Sequence, residues 1–174
     1  MSEATKELDP ITQATVTIAW VIVLNKPFYP VYVWYLVGNG AEASLSTLLS
    51  VPFFLAIPFL ARRSSLAARI ALPLIGTVDT LFETKVFGPA SGTELYLTAC
   101  IMLVALSFRE EEKWEQRLMA VLVLAVFIVS RNMIDAPLNV WSASELKTLF
   151  NLNVVSVASL LTFIALRYAG IPRA

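Results

Sequence analysis

The fold of this chain is decided by the stretch EASLSTLLSVPFFLAIPFLARR, residues 42–63. Between Glu42 and Arg62 it carries no charged residue, and about 20 predominantly apolar residues are what an α-helix needs to cross a bilayer. The two arginines that end the run are typical of a cytoplasmic membrane surface. The stretch therefore predicts a membrane-spanning helix.

The same pattern recurs along the chain, whose 174 residues are 57% hydrophobic and 15% charged, with a mean hydropathy of +0.72. This composition excludes an ordinary water-soluble domain. We predict an all-α polytopic membrane protein, a single domain built as a bundle of six transmembrane helices. The six spans are expected at about residues 11–37, 42–60, 66–86, 94–108, 118–137 and 144–166.

The first of these spans is longer than a bilayer requires. At 1.5 Å per residue it would measure roughly 40 Å, against a hydrocarbon core of roughly 30 Å. Pro27 and Pro30 lie within it, and proline interrupts the hydrogen bonding of a helix. We therefore expect this span to kink near its prolines.

Basic residues are distributed unequally between the two sides of these spans. Nine fall on one side: Lys6, Arg62, Arg63, Arg69, Arg109, Lys113, Arg117, Arg167 and Arg173. Four fall on the other: Lys26, Lys85, Arg131 and Lys147. Because cytoplasmic segments carry the excess of Lys and Arg, we predict that both termini are cytoplasmic in a bacterial inner membrane.

The composition also argues against several classes of partner, cofactor and catalytic activity. The net charge is zero and no basic run exceeds Arg62-Arg63, which argues against nucleic acid as a partner. There is no His and a single Cys, Cys100, so the usual ligands of haem and catalytic zinc are missing. We expect no cofactor, no metal site and no catalytic activity, and we expect Cys100 to be a small packing residue.

Polar side chains gather in the predicted outer half of the bundle. Asp79 and Glu83 are four residues apart and share one helix face, as do Arg131 and Asp135. Ionisable residues at such depth are costly unless they are paired or hydrated, and they suggest a functional site. We predict a pocket bounded by the first, third and fifth spans, in which Arg131 pairs with Asp79, Glu83 or Asp135.

The predicted ligand-binding residues are Lys26, Tyr29, Asp79, Glu83, Glu94, Arg131 and Asp135. The alternative is that a buried pair is purely architectural and that five charged residues only extend to the lipid headgroups: Lys26, Lys85, Glu94, Asp135 and Glu145.

One segment resembles a known family. Residues 81–97, LFETKVFGPASGTELYL, resemble a stretch in the six-helix N-terminal membrane sensor modules of bacterial class III adenylate/guanylate cyclases and diguanylate cyclases. There a helix ends in a Phe-Gly-x-x-(Ser/Ala)-Gly turn, and an aromatic-Leu pair opens the next. Residues 108–112, FREEE, resemble the charged inner loop that follows, and the similarity extends from about Asn25 to Arg117. The resemblance implies a membrane input module with a cytoplasmic signalling output.

We therefore predict a sensor or receptor module that binds a small amphiphilic ligand in an outer-leaflet pocket. A change in packing of the third and fifth helices, passed on to the end of the sixth, would relay binding to a cytoplasmic output domain or partner. Membrane lipid and a second copy of the chain are further expected partners. Two alternatives are a structural subunit of a membrane complex and a small transporter or channel with a path lined by Ser44, Thr47, Ser50 and Thr77.

Overall fold

The computed structural model describes residues 8–134 and 136–172, apart from the side chain of Met133, and contains helices and turns but no strand in this part of the chain. The all-α prediction is confirmed for these residues. The α-helices are α1 (Pro10–Asn25), α2 (Phe28–Val37), α3 (Ala41–Leu45), α4 (Val51–Arg63), α5 (Ser65–Phe87), α6 (Tyr96–Leu106), α7 (Lys113–Met133) and α8 (Ala143–Tyr168). Short 3-10 turns lie at Ser46–Ser50, Pro89–Ser91, Thr93–Leu95 and Glu110–Glu112.

The first predicted span is broken into α1 and α2, whose axes differ by 45°. The carboxylate of Asp9 caps α1 by accepting the backbone N–H of Thr12 at 3.1 Å. The break follows from Pro27, which has no N–H to continue the hydrogen-bond pattern. Beyond it, the N–H of Tyr29 donates to the carbonyl of Lys26 at 3.1 Å. Lys26 consequently lies at the break itself.

In the described residues, three helical segments are long and apolar enough to cross a membrane. They are Ala41–Arg63, which comprises α3, the 3-10 turn and α4, together with Ser65–Phe87 (α5) and Ala143–Tyr168 (α8). The bent pair Pro10–Asn25 and Phe28–Val37 makes a fourth if it is counted as one span. Thr93–Leu106 is apolar but shorter. These helices identify the chain as a membrane protein, and many of their large apolar side chains are exposed, which suits contact with lipid.

The bounds of α7 differ from those expected for the fifth span. It begins at Lys113, because the turn Glu110–Glu112 leads directly into it, with the carboxylate of Glu112 accepting the N–H of Arg109 at 3.0 Å. It ends at Met133, since Ile134 has extended backbone angles. The predicted helical end at Pro137 was therefore wrong. The conformational restriction before a proline is consistent with this earlier end.

Helix α5 lies at the centre of the packing, where it contacts α1, α4, α6 and α7. Helix α8 packs against α1, α2 and α6, and covers the turn between α5 and α6. Two groups of charged residues are built around α5, and their members Arg69 and Glu83 are about 21 Å apart along its axis at 1.5 Å per residue. We call these positions the Lys26 end (Lys26, Asp79 and Glu83) and the Arg69 end (Asp9, Arg69, Arg109 and Glu112).

Candidate functional site at the Lys26 end

Three charged side chains form a partly enclosed cluster at the Lys26 end. Lys26 Nζ lies 2.7 Å from Asp79 Oδ2 and 2.7 Å from Glu83 Oε1. All three side chains are only 11 or 12% exposed. Asp79 and Glu83 therefore share a helix face as predicted, but their cation comes from α1 and not from α7. Charges removed from water to this extent need such a partner.

Two interruptions of helical hydrogen bonding bring Lys26 to these acids. The first is the break between α1 and α2, at which Lys26 lies. The second is the 3-10 turn Ser46–Ser50, where the N–H of Val51 donates to the carbonyl of Leu48. The carbonyl of Thr47 accepts a hydrogen bond from Lys26 Nζ at 3.0 Å. The ammonium thus donates to two carboxylates and one backbone carbonyl, which matches its three N–H donors.

A cavity of about 630 Å³ lies beside this cluster, enclosed by α1, α2, α5, α6 and α8 together with Thr47 and Phe54. This volume is in the range of small-molecule sites. Lys26, Tyr29, Asp79 and Glu83 all line it. The remaining lining is largely apolar, with Val21, Ile22, Leu36, Leu72, Ala99, Leu103, Leu152, Leu160 and Phe163 among it.

The cavity opens at the surface of the bundle. Its exposed lining residues are Asn25, Tyr32 and Leu36 on one side, and Val155 and Ser159 on the other. The first three belong to α1 and α2, whereas the last two belong to α8. The opening therefore lies between α2 and α8.

Tyr29 links the cavity to the turn between α5 and α6. Its hydroxyl donates to Asn153 Oδ1 at 3.1 Å, and Asn153 Nδ2 donates to the carbonyl of Ser91 at 2.9 Å. Gly88 and Gly92 have φ values of +85° and +78°, which glycine adopts without strain. The Phe-Gly-x-x-Ser-Gly sequence thus makes a tight turn that Asn153, fully buried on α8, holds in place.

Among the described residues, the structure does not bring Glu94 and Arg131 to the cavity. Arg131 Nη2 pairs with Glu94 Oε1 at 3.0 Å, and the Arg131 side chain is 60% exposed. The prediction that Arg131 pairs with Asp79 or Glu83 was therefore wrong. The third predicted partner, Asp135, lies outside the described residues. The prediction that the fifth helix bounds the pocket was also wrong, because α7 packs against α5 and α6 on a side that does not line it.

The small hydroxyl residues proposed for a transport path bond to their own helical segments. Ser44, Thr47 and Thr77 donate to backbone carbonyls three or four residues earlier, at 2.6, 2.8 and 2.7 Å. Ser50 does the same at 3.2 Å. Thr47 alone of the four lines the cavity. These bonds are the local pattern expected of Ser and Thr in apolar helices.

A second charged cluster, which the sequence did not reveal, lies at the Arg69 end. The Arg69 side chain is 2% exposed; its Nη1 lies 3.4 Å from Asp9 Oδ1, and its Nη2 pairs with Glu112 Oε1. Arg109 Nη2 lies 3.2 Å from Asp9 Oδ2. Burial raises the pKa of Asp9, but hydrogen bonds from Thr12 and Arg109 outweigh it and hold the pKa below its usual value. The cluster joins α1, α5 and the α6–α7 turn.

The last turn of α8 is attached to α1 near this cluster. The hydroxyls of Tyr168 and Thr15 are 2.9 Å apart, and Arg167 Nη2 donates to Thr17 Oγ1 at 3.5 Å. Tyr168 is buried although it lies at the end of the helix. Helix α8 therefore runs from the wall of the cavity to a fixed contact at the opposite end of the bundle.

Comparison with known proteins gives one match. The family model MASE7 matches residues 10–170, which covers nearly the whole chain and all eight helices. No curated protein and no solved structure matches the chain significantly.

Proposed function

The chain belongs to the MASE7 family of membrane-associated sensor domains, and on this basis we propose that it binds a small, partly apolar ligand in the cavity between α1, α5, α6 and α8. One observation carries the proposal: the lining of the cavity is largely apolar and includes the Lys26 cluster. Pockets of this kind combine apolar walls with a few polar groups that orient the ligand.

The proposed topology has six spans with both termini in the cytoplasm of a bacterial inner membrane. The excess of Arg and Lys at the Arg69 end supports it, and it places the Lys26 end in the outer half of the bilayer. Reporter fusions at Gly40, Ala90 and Ser142 should then report a periplasmic position, and fusions at Ser64 and Glu112 a cytoplasmic one. Opposite results at Ser64 and Ala90 would overturn the topology.

The proposed relay uses α8. This helix supplies Leu152, Ser156 and Phe163 to the cavity wall, and its last turn bonds to α1 through Tyr168. A ligand with unequal affinity for two positions of α8 would shift the equilibrium between them. That shift would move the chain end beyond Tyr168, to which a cytoplasmic output such as a cyclase domain or a partner protein would respond.

Two adjacent exposed residues of α8 provide a matched test of the cavity. Ser159 lines it, whereas Ala158 is exposed but is not part of the lining. The purified chain in phosphatidylcholine nanodiscs would be titrated with dodecylamine, dodecanol and dodecanoic acid, with the thermal unfolding midpoint as the readout. We expect at least one of these amphiphiles to raise the midpoint in a saturable manner.

Ser159→Trp should weaken that saturable effect at least tenfold, because the indole occupies the opening, while Ala158→Trp should leave it unchanged. Equal responses of the two variants, or no saturable response to any of the three compounds, would overturn the proposal.

A further inference from the structure

The formal charges at the Lys26 end do not cancel. Lys26 contributes one positive charge against the two negative charges of Asp79 and Glu83. In the part of the chain that the structure describes, Lys26 is the only cation within salt-bridge distance of either acid, and the only cation that lines the cavity. An uncompensated charge in low-dielectric surroundings is costly. Either a proton on one of the two carboxyl groups or a second bound cation would remove that cost.

The carboxylates retain atoms with which to bind such a charge. The contacts with Lys26 use Oδ2 of Asp79 and Oε1 of Glu83. A carboxylate accepts hydrogen bonds at both of its oxygens, so Asp79 Oδ1 and Glu83 Oε2 can accept from a further N–H donor. Hydrogen bonds between ionised partners are stronger than those between neutral groups.

The shape of the cavity fits a single apolar chain behind the charged group. Its lining on α5 extends from Glu83 to Leu72, which at 1.5 Å per residue is about 16 Å. Beyond the acids the walls are mainly apolar, with Leu72, Leu103 and Phe163 on three different helices. One end is therefore negatively charged and the other is apolar.

We infer that the occupant of this cavity is a cationic amphiphile, a primary ammonium group on one medium-length alkyl chain. The inference rests on the proposed function and specifies its ligand class. The ammonium donates to Asp79 and Glu83 and brings the formal charge of the cluster to zero. Lys26 keeps its place, so the ligand adds to the cluster and does not replace a member of it. The alkyl chain extends along α5 towards Leu72.

The test compares three probes that share one chain and differ in the charge of the head group: dodecylamine, dodecanol and dodecanoic acid. Each is titrated at pH 7 against the purified chain in phosphatidylcholine nanodiscs, and the apparent Kd comes from the shift in the unfolding midpoint. A hydrogen-bonded charge contributes about 1.5 to 3 kcal/mol, so dodecylamine should bind about ten to a hundred times more tightly than dodecanol. Dodecanoic acid should bind most weakly.

Substitutions in the cluster should change this preference in opposite directions. Asp79→Asn and Glu83→Gln each leave one acid for Lys26, and should reduce the preference for the amine over the alcohol to less than about threefold. Lys26→Met leaves two acids and should increase the preference. Glu42→Gln removes an exposed acid that does not line the cavity, and should preserve the wild-type preference. The single-acid variants suffice if Lys26→Met does not fold.

A primary ammonium also occurs in aminophospholipid head groups. Phosphatidylethanolamine in the nanodisc would compete with dodecylamine if the natural occupant is such a lipid, and would leave its Kd unchanged if the occupant is a diffusible amine. Competition would overturn the single alkyl chain and keep only the primary ammonium, whereas an unchanged Kd supports the diffusible single-chain amine.

If all three probes bind equally, or if Asp79→Asn leaves the preference unchanged, the cationic ligand is wrong. The cavity still stands as a binding site in that case, provided that Ser159→Trp weakens binding. If no probe binds saturably, both the ligand class and the proposed function fail.

Discussion

The Lys26 end and the Arg69 end both enclose ionised side chains, yet they differ in charge and in surroundings. The Arg69 end pairs two arginines with two acids, and its central guanidinium also donates to Thr12 Oγ1 at 2.9 Å. The Lys26 end has two acids for one cation, and it lines a cavity that opens at the surface of the bundle. A closed, charge-balanced cluster can connect helices, whereas an unbalanced cluster at a cavity can accept a ligand.

The largest effect is expected from removing the central cation of the Arg69 end. Arg69→Met leaves the acids Asp9 and Glu112 with Arg109 as their remaining cation in the cluster. Breaking a buried ion pair in this way costs about 3 to 5 kcal/mol. The control is Arg63→Met, which removes an exposed arginine. Chemical denaturation in detergent measures the free energy of unfolding of both variants. Similar losses of unfolding free energy for the two would refute the structural role of Arg69.

Removing the cation of the Lys26 end should cost less. Lys26→Met leaves Asp79 and Glu83 facing each other, but these side chains are 11 to 12% exposed against 2% for Arg69, so we expect a loss of about 1 to 3 kcal/mol. Combining Asp79→Asn with Lys26→Met should restore part of the lost unfolding free energy. Lys147→Met, on the exposed side of α8, serves as the control. A double variant less stable than Lys26→Met alone would contradict this charge account.

The hydrogen bond between Tyr29 and Asn153 should contribute a smaller amount. Tyr29→Phe removes the hydroxyl but keeps the ring, which packs edge-on against Phe87 with centroids 5.7 Å apart. We expect a loss of about 1 kcal/mol in unfolding free energy. Tyr35→Phe is the matched control, because Tyr35 is 78% exposed. If the hydroxyl of Tyr29 has no such role, both variants will retain wild-type stability.

The smallest effect is expected at Arg131. Only one partner of this ion pair is exposed, since the Arg131 side chain is 60% exposed and the Glu94 side chain 9%. Solvent around the guanidinium screens the pair, and solvent-screened pairs contribute about 0 to 1 kcal/mol. Arg131→Ala should therefore cost less than Lys26→Met in the same denaturation assay. An equal or greater loss would mean that the pair with Glu94 is as important as the Lys26 cluster.

The sequence was sufficient for the membrane class and for the face shared by Asp79 and Glu83, because hydropathy and four-residue spacing are local properties. It was not sufficient to predict which cation pairs with those acids. Spacing defines the face of one helix but not which helix lies opposite, and so Arg131 was preferred over Lys26. Lys26 reaches the acids only because Pro27 breaks the helix there and the Thr47 carbonyl is available to it.

The sequence analysis did not predict the roles of two further residues. Asn153 was overlooked, although an amide within the apolar sequence of α8 was the available signal. Arg69 was counted only as a basic residue of one membrane side. Its pairing with Asp9 and Glu112 joins residues about 40 to 60 positions apart, which no local pattern indicates.

The position of a bound ligand tests the central claim most directly. We would crystallise the chain from a lipidic phase with dodecylamine carrying a terminal bromine, and locate the bromine by anomalous scattering. The account predicts a bromine peak inside the cavity near Leu72 and Leu103, with the nitrogen within hydrogen-bond distance of Asp79 or Glu83. A bromine bound only on the outer, lipid-facing surface of the helices, with an empty cavity, would contradict it.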